Sequence, residues 1–297
     1  MYKQYQPIIL TFLAMIFFAG NSILCRLALK HTSIDPTSFT SIRLMSGTIM
    51  LNILIYFRRK LVPIITVHST SNTSWTTGWL SAFALFIYAL GFSYAYVNMP
   101  AGTGALILFS AVQATMLIAS WWSGTTHSKQ QIIGIVIALI GLILFMLPGL
   151  TKPPIVESIL MSCAGIAWGI YSLMGRKNHN ALDATAATFS RALVLCLIVS
   201  MSLWSHLHVD IMGIWYAVCS GAIASAIGYA MWNAALPNLS SLTAASVQLS
   251  VPIITMVTGA LLLNESLTLP LIVTSALVLS GIALVLVGKN EPNRTEK

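Results

Sequence analysis

The chain has 297 residues, 57% of them hydrophobic and only 7% charged, with mean hydropathy +0.85 and a formal charge of +8. Soluble domains carry about 25% charged residues, so a water-facing surface is excluded and lipid must be the solvent for most of the chain. The basic residues sit in short loops and the tail, which is charge that orients a membrane protein and not a nucleic-acid surface.

Apolar stretches of span length fall at residues 8–28, 39–57, 78–97, 101–122, 130–148, 155–174, 184–203, 211–235, 241–263 and 268–287. They run to about 20 residues, the length of membrane helices and too long for barrel strands. The first follows Lys3 with no small-residue cleavage pattern before Arg26, and reads as a retained span. Asn21 and Ser22 stand near its middle. The second opens on "IDPTSFTSIRLMSG" (34–47): Asp35 suits an N-cap, Pro36 the first helical position, and Arg43 lies one to two turns inside. The stretch 63–78, "PIITVHSTSNTSWTTG", reads as a polar surface loop.

Only "NMPAG" (98–102) separates the third and fourth spans, a tight hairpin signal, as is "LPNLS" (236–240) between the eighth and ninth. The sixth span carries Trp168 and Tyr171 on one face. The seventh repeats the second, in "ALDATAATFSRALVLC" (181–196), where Asp183 matches Asp35 and Arg191 matches Arg43. In both helices the acid precedes the arginine by about 12 Å. That is too far for an ion pair, so each Asp is expected to cap its helix.

A second repeat aligns "YAYVNMPAGTGALILFSAVQ" (94–113) with "YAMWNAALPNLSSLTAASVQ" (229–248), pairing Tyr94 with Tyr229, Asn98 with Asn233 and Gln113 with Gln248. Two halves follow, 1–150 and 151–290, with a polar tail at 291–297. Five spans per half is an odd number, so the halves have opposite orientation in the membrane. The expected fold is all-α and integral to the membrane: ten transmembrane helices as two inverted five-helix repeats. Such repeats mark alternating-access transporters with a solute site near the midplane.

With both termini cytoplasmic, inside segments hold Lys3, Arg58, Arg59, Lys60, Lys129, Arg176, Lys177, Lys289, Arg294 and Lys297, and outside loops hold only Lys30 and Lys152. That bias obeys the positive-inside rule. Arg26, Arg43 and Arg191 remain at membrane depth or its margin.

These residues resemble the EamA module of the drug/metabolite transporter superfamily. The likeness lies in "AWGIYSLMGRK" (167–177), more loosely "FFAGNSILCRL" (17–27), the proline and arginine at 36 and 43, "VP" (251–252) followed by "LLLNESLT" (261–268), and the spacing of Gly281 and Gly288. It extends over nearly the whole chain as two modules. The resemblance implies a ten-helix inverted-repeat bundle with a central cavity that moves small metabolites, often exporting amino acids. The first half departs from the pattern. It has "SGTTHSKQQ" (123–131) where the second has Glu265, and no proline matches Pro252.

Polar residues at membrane depth must face protein or a wet cavity, because lipid leaves them unsatisfied. The candidate solute contacts are Asn21, Ser22, Tyr88, Gln113, Trp168, Tyr171 and Gln248; helix-packing bonds are the alternative for the amides. Arg43 and Arg191 either snorkel to the interface or act at a gate, attracting a carboxylate or latching onto hydroxyls and carbonyls. Pro252 could mark a kink or hinge. Tyr94 and Trp232 read as interfacial anchors. Gly134 and Gly141, like Gly281 and Gly288, allow close helix approach.

All seven carboxylates fall in loops, the tail or the first turn of a span, so no mid-membrane acid offers an ion-coupling site. This favours a facilitator, exchanger or weakly coupled exporter. Cys25, Cys163, Cys196 and Cys219 have no paired spacing and read as apolar fillers. His206, His208 and Asp210 form a solvated loop cluster, and no metal, cofactor or catalytic set is expected. The expected protein is not an enzyme but an exporter of amino acids or related metabolites in a bacterial inner membrane, a monomer or homodimer whose partners are a small-molecule solute and the bilayer. Alternatives are an importer, a carrier of sugar-phosphate, nucleotide-linked or cationic drug-like solutes, or an intramembrane lipid-modifying enzyme.

Overall fold

The computed structural model describes residues 2–61, 75–122, 128–146, 153–175, 180–239, 244 and 247–288. Most of the expected 63–78 loop and the 291–297 tail lie outside these. Among the described residues every regular element is helical: α1 (Tyr2–His31), α2 (Pro36–Leu61), α3 (Trp75–Ala95), α4 (Ala101–Trp122), α5 (Lys129–Met146), α6 (Ile155–Gly175), α7 (Ala181–Ser202), α8 (Ile211–Val218), α9 (Gly228–Ala235), α10 (Ser250–Leu263) and α11 (Leu269–Val287). A π-helical stretch, Cys219–Ile227, joins α8 to α9 in one continuous rod.

Seven rods are long and apolar enough to cross a membrane: Pro7–His31, Pro36–Lys60, Thr76–Ala95, Ala101–Trp122, Ile155–Gly175, Ala181–Ser202 and Ile211–Asn238. The helices of the fifth, ninth and tenth expected spans are shorter. The ninth departs most. Ala244, Val247 and Gln248 are helical, the regular pattern is interrupted at Leu249, which keeps right-handed helical backbone (φ −65°, ψ −18°), and α10 follows from Ser250, 14 residues that rise about 21 Å. Pro252 lies in its first turn and has no N–H to donate to the carbonyl of Gln248, four residues back, which accounts for the interruption.

The outer surface is apolar, as lipid requires. Ile8, Trp122, Met201 and Leu261 are between 63% and 88% exposed. The interior carries the polar groups.

Helices that the internal repeat makes equivalent pack against each other and run antiparallel. Along α2 and α7, Ser41 bonds Ser200 at 2.8 Å, Gly47 faces Phe189, and Arg58 meets Asp183. Along α5 and α11, Gln131 donates to the Gly288 carbonyl at 3.0 Å, and Gly134 and Gly141 face Val285 and Val278. A Cβ on Gly281 would meet the Ala138 amide nitrogen at 2.5 Å, so the close approach expected of these glycines is realised between these two helices. The other pairings obey the same exchange: α3 on α6 mirrors α9 on α1, and α4 on α6 mirrors α10 on α1.

Local chemistry explains the helix starts. Asp35 Oδ1 accepts from the Thr37 and Ser38 amides at 2.9 and 3.0 Å, capping α2 as expected. Its other oxygen accepts from the His208 amide at 2.8 Å and ties down the loop before α8. Asp183 behaves differently. It sits inside the first turn of α7 and pairs with Arg58 at 2.5 Å, while Asn180 holds the cap position and also donates to it. The inverted mate of a cap has become a surface ion pair.

Candidate functional site

Arg43 lies two turns inside α2 and is 1% exposed, so it does not snorkel. Its Nε donates to Ser225 Oγ at 3.0 Å, and its Nη2 donates to the hydroxyls of Tyr229 at 2.9 Å and Tyr88 at 3.3 Å. The guanidinium carbon sits 5.3 Å from the Tyr88 ring centre and 5.1 Å from that of Phe92. Nη1 is buried with no hydrogen-bond partner, and among the described residues no carboxylate pairs with the side chain. A charge at membrane depth costs several kcal/mol; here neutral hydroxyls and ring faces compensate it.

The π-helical stretch explains this arrangement. A π turn carries an extra residue and shifts side-chain facing, a deviation frequently found at functional sites. Ser220 and Ser225 both point inward from it. Gly221 between them lets α2 approach so closely that a Cβ would collide with the Arg43 carbonyl and Ser46 Oγ. That contact delivers Arg43 to Ser225.

Around the guanidinium the two halves supply one aromatic wall. Trp168 from α6 packs on Tyr229 (4.7 Å between centres), Tyr88 (4.9 Å), Phe18 (5.3 Å) and Tyr171 (5.3 Å). Trp168 Nε1 donates to Gln248 Oε1 at 3.1 Å. Asn21 donates to the Tyr88 hydroxyl at 3.3 Å and accepts from Ser220 at 2.6 Å. Beyond Tyr171, Asn233 donates to that hydroxyl at 2.9 Å and to Thr185 at 2.8 Å, beside a small cavity lined also by Ser81, Gly175 and Thr188.

The structure therefore brings Asn21, Tyr88, Trp168, Tyr171 and Gln248 together with Arg43. Ser22 is buried beside the Tyr96 hydroxyl instead, and Gln113 is buried on α4. Arg191 is apart from the cluster, half-buried on α7 against Gly78. Trp232, expected at the interface, is fully buried with its ring 5.9 Å from Phe18: the rod that carries it is packed against α1, so its indole never reaches the headgroups. Tyr94, its expected companion, bonds Thr37 Oγ1 at 2.8 Å.

Two further ties sit at opposite ends of the bundle. Arg26 meets Glu265 at 3.4 Å and donates to the carbonyls of Tyr96 and Val97 at 2.8 and 2.7 Å. Glu265 accepts from the Ala101 amide at 2.8 Å. Asn264 places it there, ending α10 in the left-handed region at φ 52° and reversing the chain. This knot joins α1, the α3–α4 hairpin and the α10–α11 turn, and both side chains are about nine-tenths buried. At the other end, Arg58 and Asp183 tie α2 to α7 and are about one-third exposed. Sequence reasoning named Arg26 and Glu265 separately and did not pair them; their opposite charges at two expected outer ends were the available signal.

The profile of the EamA-like transporter family matches residues 6–147 and again 156–287. The chain belongs to the EamA-like transporter family. It is 46% identical to an uncharacterized protein of Pseudomonas aeruginosa over 95% of this chain and 94% of that one. It is 23% identical to a probable amino-acid metabolite efflux pump of Salmonella typhimurium, spanning 68% of this chain and 72% of the pump. A protein of the same description from Escherichia coli is 22% identical over 69% and 72%. A solved crystal structure shares the fold with TM-score 0.66 over 94% of this chain and 96% of that one, at 14% identity. The chain is thus a multi-pass membrane protein built from two EamA modules, and Arg43, Trp168 and Tyr229 lie where those modules meet.

Proposed function

We propose that this EamA-family protein is an alternating-access exporter of amino acids or related small metabolites, placed in a bacterial inner membrane with both termini cytoplasmic. The solute passes between the two inverted modules, at the cluster around Arg43. The buried arginine without a carboxylate partner carries this reading, because such a charge is expensive to keep unless it acts on something that arrives. The efflux-pump descriptions of distant relatives support the direction. The knot at Arg26–Glu265 closes the outer side, and Arg58–Asp183 the inner side. Asn21, Tyr88, Trp168, Tyr171 and Gln248 line the path; Arg191 and Pro252 work at the inner gate and the broken helix. With no carboxylate placed at mid-depth, ion coupling is weak.

Purified protein in liposomes, loaded with unlabelled amino acids and offered labelled ones, tests this. Counterflow of at least one amino acid is expected, with less than twofold change when a pH gradient is imposed. Absence of counterflow across an amino-acid and metabolite panel contradicts export. Strong uphill flux driven by the gradient contradicts weak coupling.

A further inference from the structure

Five of the seven carboxylates lie among the described residues, and each is engaged away from Arg43. Asp35 caps α2, Asp210 caps α8, Asp183 meets Arg58, Glu157 accepts from Asn98, and Glu265 meets Arg26. Glu291 and Glu296 belong to the tail. The described residues therefore supply no counter-ion for Arg43, which leaves that place to a group from outside them. The guanidinium is already oriented for it: Nε and Nη2 are held by Ser225, Tyr229 and Tyr88, and Nη1 alone is left with no acceptor.

One free nitrogen of one arginine suits one monoanionic group. A phosphate with two charges calls for several converging cations, and among the described residues no other basic side chain is bonded into this cluster. Beside the guanidinium lie the rings of Tyr88 and Phe92, with Trp168 packed on Tyr88, so whatever follows the anionic group meets apolar rings. Asn21, Gln248 and, beyond Tyr171, Asn233 are the amides bonded into the wall, each already committed to a ring partner. Among the described residues no acidic group is bonded into the wall to meet an ammonium.

We infer that Arg43 Nη1 receives a carboxylate of the solute and that the recognised ligand class is a monocarboxylate with an apolar body, for which an α-amino group is not required. This rests on the exporter reading and widens its substrate class. The rings close over Arg43 in this conformation, so they part as the solute arrives, and the solute's negative charge takes the place of their faces beside the guanidinium.

Thermal melting of the purified protein, titrated with 3-phenylpropanoate, 4-methylpentanoate, phenylalanine, 3-phenylpropanamide and 3-phenylpropylamine, tests the inference. The three carboxylates are expected to stabilise the wild type with affinities at least tenfold above those of the amide and the amine. Arg43→Gln is expected to bring 3-phenylpropanoate down to the level of its amide, and Arg43→Lys to recover only part of the difference. If the glutamine variant does not fold, the acid–amide comparison on wild type stands alone. An amide that binds as well as its acid, or no stabilisation by any carboxylate, overturns the inference. Carboxylate-selective binding without flux in liposomes keeps it and defeats the exporter reading; amino-acid flux without selectivity for the carboxylate does the reverse.

Discussion

At the scale of single residues, the fate of Arg43 shows what spacing can and cannot reveal. Its cap and first turn were legible, because Asp35 and Pro36 act within three residues of themselves. Its burial was not. The partners Ser225 and Tyr229 lie more than 180 positions away, and a π-helical register turns Ser225 inward. Removing the Ser225 hydroxyl leaves a buried charged donor short of an acceptor, so Ser225→Ala should lower stability by about 1–3 kcal/mol in a detergent melt. The two ion pairs should respond very differently. Glu265→Ala strands a buried guanidinium and should cost about 3–5 kcal/mol, whereas Asp183→Ala breaks a partly exposed pair worth about 0–1 kcal/mol. Equal losses for both would mean that burial does not govern these contacts.

At the scale of elements, the apolar stretches gave the helices well wherever a rod is continuous, and missed where it is broken. The ninth expected span is interrupted at Leu249, three residues before Pro252, because hydropathy registers apolar content and not the backbone hydrogen bond that a proline removes. Glycine spacing foretold a close approach for α5 and for α11 without saying that each is the other's partner. That contact gives a paired test. A methyl group on Gly281 has no room against the Ala138 and Gly134 backbone, while one on Gly20 meets nothing within 4 Å. Gly281→Ala should therefore destabilise by about 1–3 kcal/mol, and Gly20→Ala, in a helix interior, should be neutral or stabilise by about 0.4–1 kcal/mol. Melting curves of the two variants decide it.

At the scale of the whole molecule, equivalent helices meet head to tail, α2 against α7 and α5 against α11. Arg26–Glu265 and Arg58–Asp183 fall at opposite ends of this pairing, with the aromatic wall and Arg43 between them. The expected odd number of spans per half implies the inversion that these antiparallel pairings fit, but the location of the two ties depended on contacts spanning 239 and 125 positions. Alternating access requires that the ends open in turn, so fixing either one shut must stop flux. The direct measurement uses two double variants in a cysteine-depleted protein, Arg26→Cys with Glu265→Cys and Arg58→Cys with Asp183→Cys, each bridged by a short cleavable bifunctional thiol reagent and assayed for amino-acid counterflow in liposomes. Each bridge should abolish counterflow and its cleavage should restore it. Undiminished counterflow with either pair fully bridged would contradict passage between the two modules.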